Sequence, residues 1–357
     1  MMFGNDFRLT PRKQHILRAV IRDYIQTAEP VGSRTLSKKY DLGLSPATIR
    51  NELSDLEEEG LLKQPHTSSG RVPSDHGYRV FVDNLMEPGA LSPEQREQLA
   101  RNPLAAQELP ELMVQTAKLT AVLAGCTAIV RAPRQADSKI KFIQLMPVAE
   151  QEVLLILLTD RGQVSNQLIR LPEPLSTEEL MIVANFLNEQ LRDRPLDQLT
   201  QDALTSVSAK LSAYHEVLSA LWDRIPRTKP SERLYLGHQS YLAQQPEFNE
   251  MGKVGQLLSL LEHDRVMIDL MDTLASGAKE GARIAIGSEN PLSDFRECSV
   301  IAAPYRLGEQ VLGEIAVIGP TRMHYAMAIA AVEAMAERLS SALTDLYGLE
   351  PPPGPRP

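Results

Sequence analysis

SPATIRNELSDLEEEGLLKQPHTSSGRVP, residues 45–73, decides how this chain is read. Ser45 followed by Pro46 is a capping residue with proline at the first helical position, a pair that opens helices. Ile49, Leu53 and Leu56 then recur at spacings of four and three, so one face of that helix must be buried. Gly60 closes it. A short strand over 61–64 leads to the polar tip HTSSG, and Arg71-Val72 returns until Pro73 stops the run. A half-apolar helix followed by a small basic hairpin reads as the second half of a winged helix-turn-helix, a module that lays one helix in the DNA major groove.

The flanks agree. Thr10-Pro11 opens a first helix with Leu17, Val20, Ile21 and Tyr24 at helical spacing, and EPVG (29–32) breaks it. Ser33 starts a short second helix in which Leu36 and Tyr40 share a face. Ser74 caps a helix with Tyr78, Phe81, Val82 and Leu85 on one side. The winged helix-turn-helix is therefore expected over 1–88, with a linker over 89–104.

The face of the third helix opposite its apolar stripe carries Ala47, Asn51 and Ser54, flanked by Thr48 and Arg50, with Ser45 at its mouth. Arginine pairs with guanine, asparagine with adenine, and small or methyl-bearing groups pack on thymine. In the wing, Lys63, His66, Thr67, Ser68, Ser69 and Arg71 surround the tip, and Arg71 is the first choice for a groove or phosphate contact. Ser33, Arg34 and Lys38 on the second helix are placed to clamp phosphates. Glu57, Glu58 and Glu59 lie at the far end of the third helix and are expected to be a solvated face away from DNA.

Charge supports this division. The 357 residues carry a net charge of -9, yet residues 1–80 hold twelve Lys/Arg against ten Asp/Glu, a balance of +2 that leaves about -11 for the rest. The two cysteines, Cys126 and Cys298, are far apart and outside any CxxC, and are expected to be reduced packing residues. No signal peptide is indicated, and the longest apolar run, 153–158, is too short to span a bilayer, so no membrane association and a cytoplasmic location are expected. No HExxH, P-loop, GxGxxG or GxSxG motif is present; no catalytic residue, metal or cofactor is expected, and the chain does not read as an enzyme.

Beyond residue 104 the chain reads as α+β. Strands are expected over 127–131, 140–148, 152–159 and 164–170, with a hairpin turn at 160–163 and a helix over 177–191. Helical patterns follow over 196–222 and 254–275, separated by a loop-rich stretch. Strands resume over 283–287, 298–306 and 312–318 before a last helix over 322–346 and a proline-rich, disordered tail. The layout is an α+β domain over 105–194 and 281–346, interrupted by a mainly helical insertion over 195–280, with the tail over 347–357.

The runs EPVGSRTL (29–36), LSPATIRNELSDLEEEGLL (44–62) and QPHTSSGRVPSDHGYRVFVD (64–83) resemble the DNA-binding domain of the bacterial heat-inducible transcription repressor HrcA family. PEFNE (246–250), IAIGSEN (284–290) and GEIAVIGPTRMHY (313–325) resemble that family's central and C-terminal signatures, so the likeness spans nearly the whole chain. It implies a multidomain α+β protein with a GAF-like domain interrupted by an inserted dimerising domain. It further implies a homodimer that binds an inverted-repeat operator, CIRCE, upstream of chaperone operons such as those for GroE and DnaK. The GroEL-type chaperonin is the implied modulator, with release on heat stress and a nucleoid association when operator-bound.

Two other readings stay open. A GAF-like domain could enclose a small molecule, with the pocket expected between the strands near 284–287 and 298–305. Alternatively, the winged helix could serve protein contacts rather than DNA.

Overall fold

The computed structural model describes residues 9–66, 69–104, 106, 108–133, 139–160, 164–196, 214–222, 233–248, 251–275, 281–308 and 310–346. Thr67, Ser68, the 161–163 turn, much of the 196–222 helix and the tail lie outside these residues. The chain divides into two compact units. One comprises 1–131 with 234–346, and the other 132–233.

The first unit begins with α1 (Pro11–Thr27), α2 (Ser33–Lys39) and α3 (Pro46–Glu58). The hairpin β1 (Leu62–Lys63) and β2 (Val72–Pro73) follows, then α4 (Asp75–Val80), which widens into a π turn over Phe81–Leu85. The capping serines and threonine act as their spacing suggests: Thr10, Ser45 and Ser74 accept from the backbone of Lys13, Thr48 and Gly77. Ile16, Leu17, Val20, Ile21, Leu36, Ile49, Leu53, Leu56 and Tyr78 are buried together with Leu61. Each such aliphatic side chain contributes about 1.5–3 kcal/mol through burial, which fixes the angle of α3.

After α5 (Pro93–Arg101) and α6 (Leu109–Ala124), the same unit builds a five-stranded antiparallel sheet. With strands numbered along the chain, its order is β7 (Leu234–Gly237), β3 (Thr127–Arg131), β10 (Gln310–Pro320), β9 (Cys298–Leu307), β8 (Arg283–Ile286). The long C-terminal helix Tyr325–Leu346 and α6 pack against each other and onto the sheet. Two further helices, Met251–Leu261 and Asp264–Ala275, bury Leu257, Leu261, Met267 and Leu270 with Val300, Ala302, Ala316 and Ile318 of the sheet. This is the GAF-like body.

The second unit holds its own antiparallel sheet, ordered β4 (Ile140–Ala149), β5 (Glu152–Thr159), β6 (Val164–Arg170), with α7 (Thr177–Leu191) and α8 (His215–Trp222). Ile143, Leu155, Ile169, Leu180, Val183, Leu221 and Trp222 form its core. The interrupting unit therefore spans 132–233 rather than the expected 195–280. Strands 140–170 belong to it, and 234–275 belong to the GAF-like body. The expected continuous helix over 254–275 is also two helices, parted at Glu262-His263. Periodicity shows that a segment has an apolar face; it does not show which sheet that face covers. The decisive element is β7, four residues in a stretch read as loop, whose pairing with β3 returns the chain to the first sheet.

Candidate nucleic-acid interface

The mouth of α3 is fixed by its cap. Ser45 Oγ accepts from the Thr48 amide at 3.1 Å and lies 2.9 Å from Thr48 Oγ1. With Ile49, Leu53 and Leu56 buried, Ala47, Arg50 and Asn51 are left exposed on the opposite side. Pro46 has no N–H and the Thr48 amide is held by Ser45, so the first turn offers a phosphate chiefly the positive end of the helix dipole.

The wing is seated against the chain between α1 and α2. Val31 and Arg71 exchange two backbone hydrogen bonds of 2.9 Å, and a Cβ on Gly70 would fall 2.5 Å from the Val31 carbonyl. Glycine is therefore required by close approach. The wing tip is tied by Ser69, whose amide and Oγ both donate to the His66 carbonyl. Together the start of α2, the outer face of α3 and the wing enclose a cleft of about 580 Å³ lined by Ser33, Arg34, Arg50, Gln64, Gly70 and Arg71.

Of the residues singled out in the sequence, Ser33, Arg34, Arg50 and Arg71 thus meet at one cleft. Ser33 is nearly buried at the head of α2, whereas Arg34 and Lys38 are exposed one turn apart. Lys63 and His66 are exposed but outside the cleft lining, and Ser45 and Thr48 are engaged in the cap. Gln64 is a lining residue that sequence reading did not single out; its signal was only its place beside the wing tip.

Two electrostatic details differ from expectation. Arg71 is not a free wing cation, because its guanidinium Nη2 lies 2.7 Å from Glu57 of α3 and its side chain is only 17% exposed. Likewise the acidic run is not simply solvated. Glu59 lies 2.6 Å from Lys13, Asp55 lies 3.3 Å from the same ammonium, and Glu52 lies 3.3 Å from Arg12. The Glu59 hydrogen bond holds the Lys13 ammonium above its ordinary pKa, against the cost of burial. Exposed pairs of this kind add about 0–1 kcal/mol to stability. Their larger effect is on the field, since carboxylates close to the exposed face of α3 are neutralised by cations of α1 and the wing.

Elsewhere the reactive groups are buried. Cys126 and Cys298 are free, and burial pushes both thiols up to about 12, the range of inert packing cysteines. Among the described residues no group of three or more potential ligands could hold a metal, and no helix is long and apolar enough to cross a membrane.

Comparison with known proteins agrees with this architecture. Residues 110–329 match the family described as the HrcA protein C-terminal domain. The heat-inducible transcription repressor HrcA of Pelotomaculum thermopropionicum is 38% identical over 94% of this chain and 97% of its own length. The repressors of the same name from Symbiobacterium thermophilum and Brevibacillus brevis are 41% and 40% identical over 92% and 95% of this chain, and 97% and 99% of theirs. A crystal structure of a hypothetical protein at 2.2 Å resolution shares the fold, with a TM-score of 0.63 and 24% identity, covering 95% of this chain and all of that one. With a winged helix-turn-helix on a GAF-like body and relatives of this identity along nearly its full length, the chain belongs to the heat-inducible transcription repressor HrcA family.

Proposed function

We propose that the protein is a dimeric repressor that binds the CIRCE inverted repeat upstream of class I heat-shock operons such as those for GroE and DnaK and blocks their transcription. The observation that carries this reading is the cleft. It gathers Arg34, Arg50 and Arg71 between the start of α2, the outer face of α3 and the wing, while the nearby carboxylates Glu52, Asp55, Glu57 and Glu59 are held in ion pairs. Ala47, Thr48, Arg50 and Asn51 specify sequence from the major groove. Ser33, Arg34, Lys38, Ser45, Lys63, His66 and the wing residues Thr67 and Ser68 position the backbone. Arg71 acts through Glu57, bracing the wing on α3.

An inverted repeat calls for two protomers related by a two-fold axis. A surface suited to that pairing lies on the second unit. The outer face of its sheet places Phe142, Leu158 and Val164 in one cross-strand row and Met146, Leu154 and Leu168 in another. Phe142, Val164 and Leu168 are each about half exposed or more, an apolar face of the kind that marks an interaction site. We assign a second copy of this chain to that face. The reading includes modulation by a GroEL-type chaperonin, release on heat stress, and a cytoplasmic, operator-bound location, each supported by the family likeness.

A competition gel-shift tests this reading. An inverted-repeat duplex should displace the protein from labelled operator at concentrations at least about 10³-fold below a scrambled duplex. Equal competition would overturn it. Placing a charge on the apolar face, as in Phe142→Asp, should shift the sedimentation of the protein toward the monomer.

A second reading has one observation in its favour. The strip between β8 and β9 is filled by Ile286, Cys298, Val300 and Ile301, but a cavity of about 250 Å³ lies at its edge, lined by Leu274, Arg283, Ala302, Pro304, Arg306 and Glu314 among others. A small molecule there would make the GAF-like body a sensor. Native mass spectrometry decides it: a stoichiometric adduct supports the sensor, and an adduct-free protein that binds operator contradicts it.

A further inference from the structure

PEFNE, IAIGSEN and GEIAVIGPTRMHY, the three runs that carry the family likeness outside the winged helix, supply no DNA-contacting residue in the reading above. Side chains from all three nevertheless converge where the winged helix sits on the GAF-like body. From IAIGSEN, Glu289 grips Arg79 of α4 with both oxygens. Arg79 Nε donates to Oε1 at 2.8 Å, Nη2 donates to Oε2, and Nη2 also donates to the Ile284 carbonyl at 2.7 Å. The same carboxylate accepts from the Ile286 amide at 2.9 Å, so its own loop aims it. One residue earlier, the Ser288 amide donates to Asp75 at 2.9 Å. Gly287 has φ +53°, and a Cβ there would lie 2.5 Å from the Asp75 carboxylate oxygens. The loop is shaped to receive the head of α4.

A second anchor lies at the other end of the joint. From GEIAVIGPTRMHY, Arg322 donates through Nη1 to the Ile25 carbonyl in the last turns of α1 at 2.9 Å. The ring of Tyr325 lies 5.7 Å from that of Tyr78, and both side chains are buried. From PEFNE, Glu247 holds the Arg322 guanidinium through Nε and Nη2, which leaves Nη1 aimed at α1. Burial works against the Arg79 charge, but the hydrogen bond and charge of Glu289 outweigh it and raise its pKa. The Glu247 hydrogen bond likewise raises that of Arg322, against burial. The bidentate Arg79–Glu289 pair is directional, and the Arg322 bond to α1 with the Tyr78–Tyr325 contact adds a second point of attachment, so the joint resists rotation as well as separation.

We propose that Arg79, Glu289 and Arg322 are positioning residues that lock the winged helix onto the GAF-like body, presenting α3 at one distance and phase for an inverted repeat. This deepens the DNA-reading function proposed above and rests on it. The lock does not touch the operator. It converts a module able to read a single half-site into one that measures the spacing between two.

The test uses the full chain with Arg79→Glu, Glu289→Arg and the double exchange. Spin labels at Glu58→Cys on α3 and Glu337→Cys on the body, diluted with unlabelled protein, report the intrachain distance; the native thiols are buried and escape labelling. Wild type is expected to give one narrow distance, Arg79→Glu a broad distribution, and the double exchange a narrow one again. On DNA, Arg79→Glu is expected to bind a single half-site duplex as wild type does, while its discrimination between correctly and wrongly spaced repeats falls about tenfold and returns in the double exchange. A narrow distance with unchanged spacing discrimination in Arg79→Glu would overturn the lock, as would an equal loss on the half-site. Should wild type prefer no inverted repeat, the DNA-reading function fails, while the distance distribution still decides the lock.

Discussion

The cleft beside α3 and the joint beneath α4 are both built around arginines, and they use them in opposite ways. At the cleft, Arg34 and Arg50 are exposed and the cations meant for internal use, Arg12, Lys13 and Arg71, are spent on the carboxylates of α3. At the joint, Arg79 and Arg322 each meet a bidentate carboxylate and a backbone carbonyl, so no charge is left over for a partner. Partner supply, not residue type, separates the proposed reading surface from the proposed positioning one. A guanidinium left in water keeps its capacity to bind phosphate or guanine, whereas one chelated across two elements has become part of the scaffold.

Changes at each site can break or sharpen this contrast. The largest effect is expected from Gly70→Val. Its side chain would meet the Val31 carbonyl, unseat the wing, cost about 1–3 kcal/mol of stability and weaken operator binding more than tenfold. Chemical denaturation and gel-shift measure the two losses; an unchanged midpoint would show that the wing is not seated on Val31.

Tyr78→Phe at the joint should act in the other direction. Its hydroxyl is buried without a hydrogen-bond partner among the described residues, so its removal should leave stability unchanged or raise it by about 1 kcal/mol. A lower Tm in calorimetry would mean that the hydroxyl is satisfied in solution.

Arg34→Ala and Lys38→Ala at the cleft should each reduce the dependence of log Kd on log salt by about one, and weaken specific and random duplexes alike. Loss confined to the specific duplex would place them on bases. The smallest effect concerns His324, beside Arg322. Burial, with the Arg322 charge, lowers its pKa below the unfolded value of about 6.5. Protonation therefore favours the unfolded chain, and stability present above pH 6.5 is lost as pH falls below it. His324→Gln should flatten the decline in unfolding midpoint below pH 6.5; an identical slope would remove this residue as its source.

Local features were legible in the sequence and tertiary ones were not. The α3 boundaries follow from Ser45-Pro46 and Gly60, and its buried face from the spacing of Ile49, Leu53 and Leu56, because a helix is written within a few residues. The wing is announced by its polar, glycine-containing tip for the same reason. That Arg71 faces Glu57 rather than solvent depends on how the wing packs on α3, which no spacing encodes. The pairing of β7 with β3 joins segments more than a hundred residues apart, and Arg79 meets Glu289 across 210 positions. The GAF-like body was therefore recognisable as strands and helices, while the strand set that belongs to it was not. The joint residues lie inside runs that carry the family likeness, and only the fold shows that those runs meet.

The most direct measurement compares Arg50→Ala with Arg79→Ala on a duplex carrying a single half-site. Arg50→Ala is expected to raise Kd about tenfold or more, and Arg79→Ala to leave it unchanged. Equal losses, or a loss confined to Arg79→Ala, would contradict the division of the molecule into a surface that reads and a joint that positions.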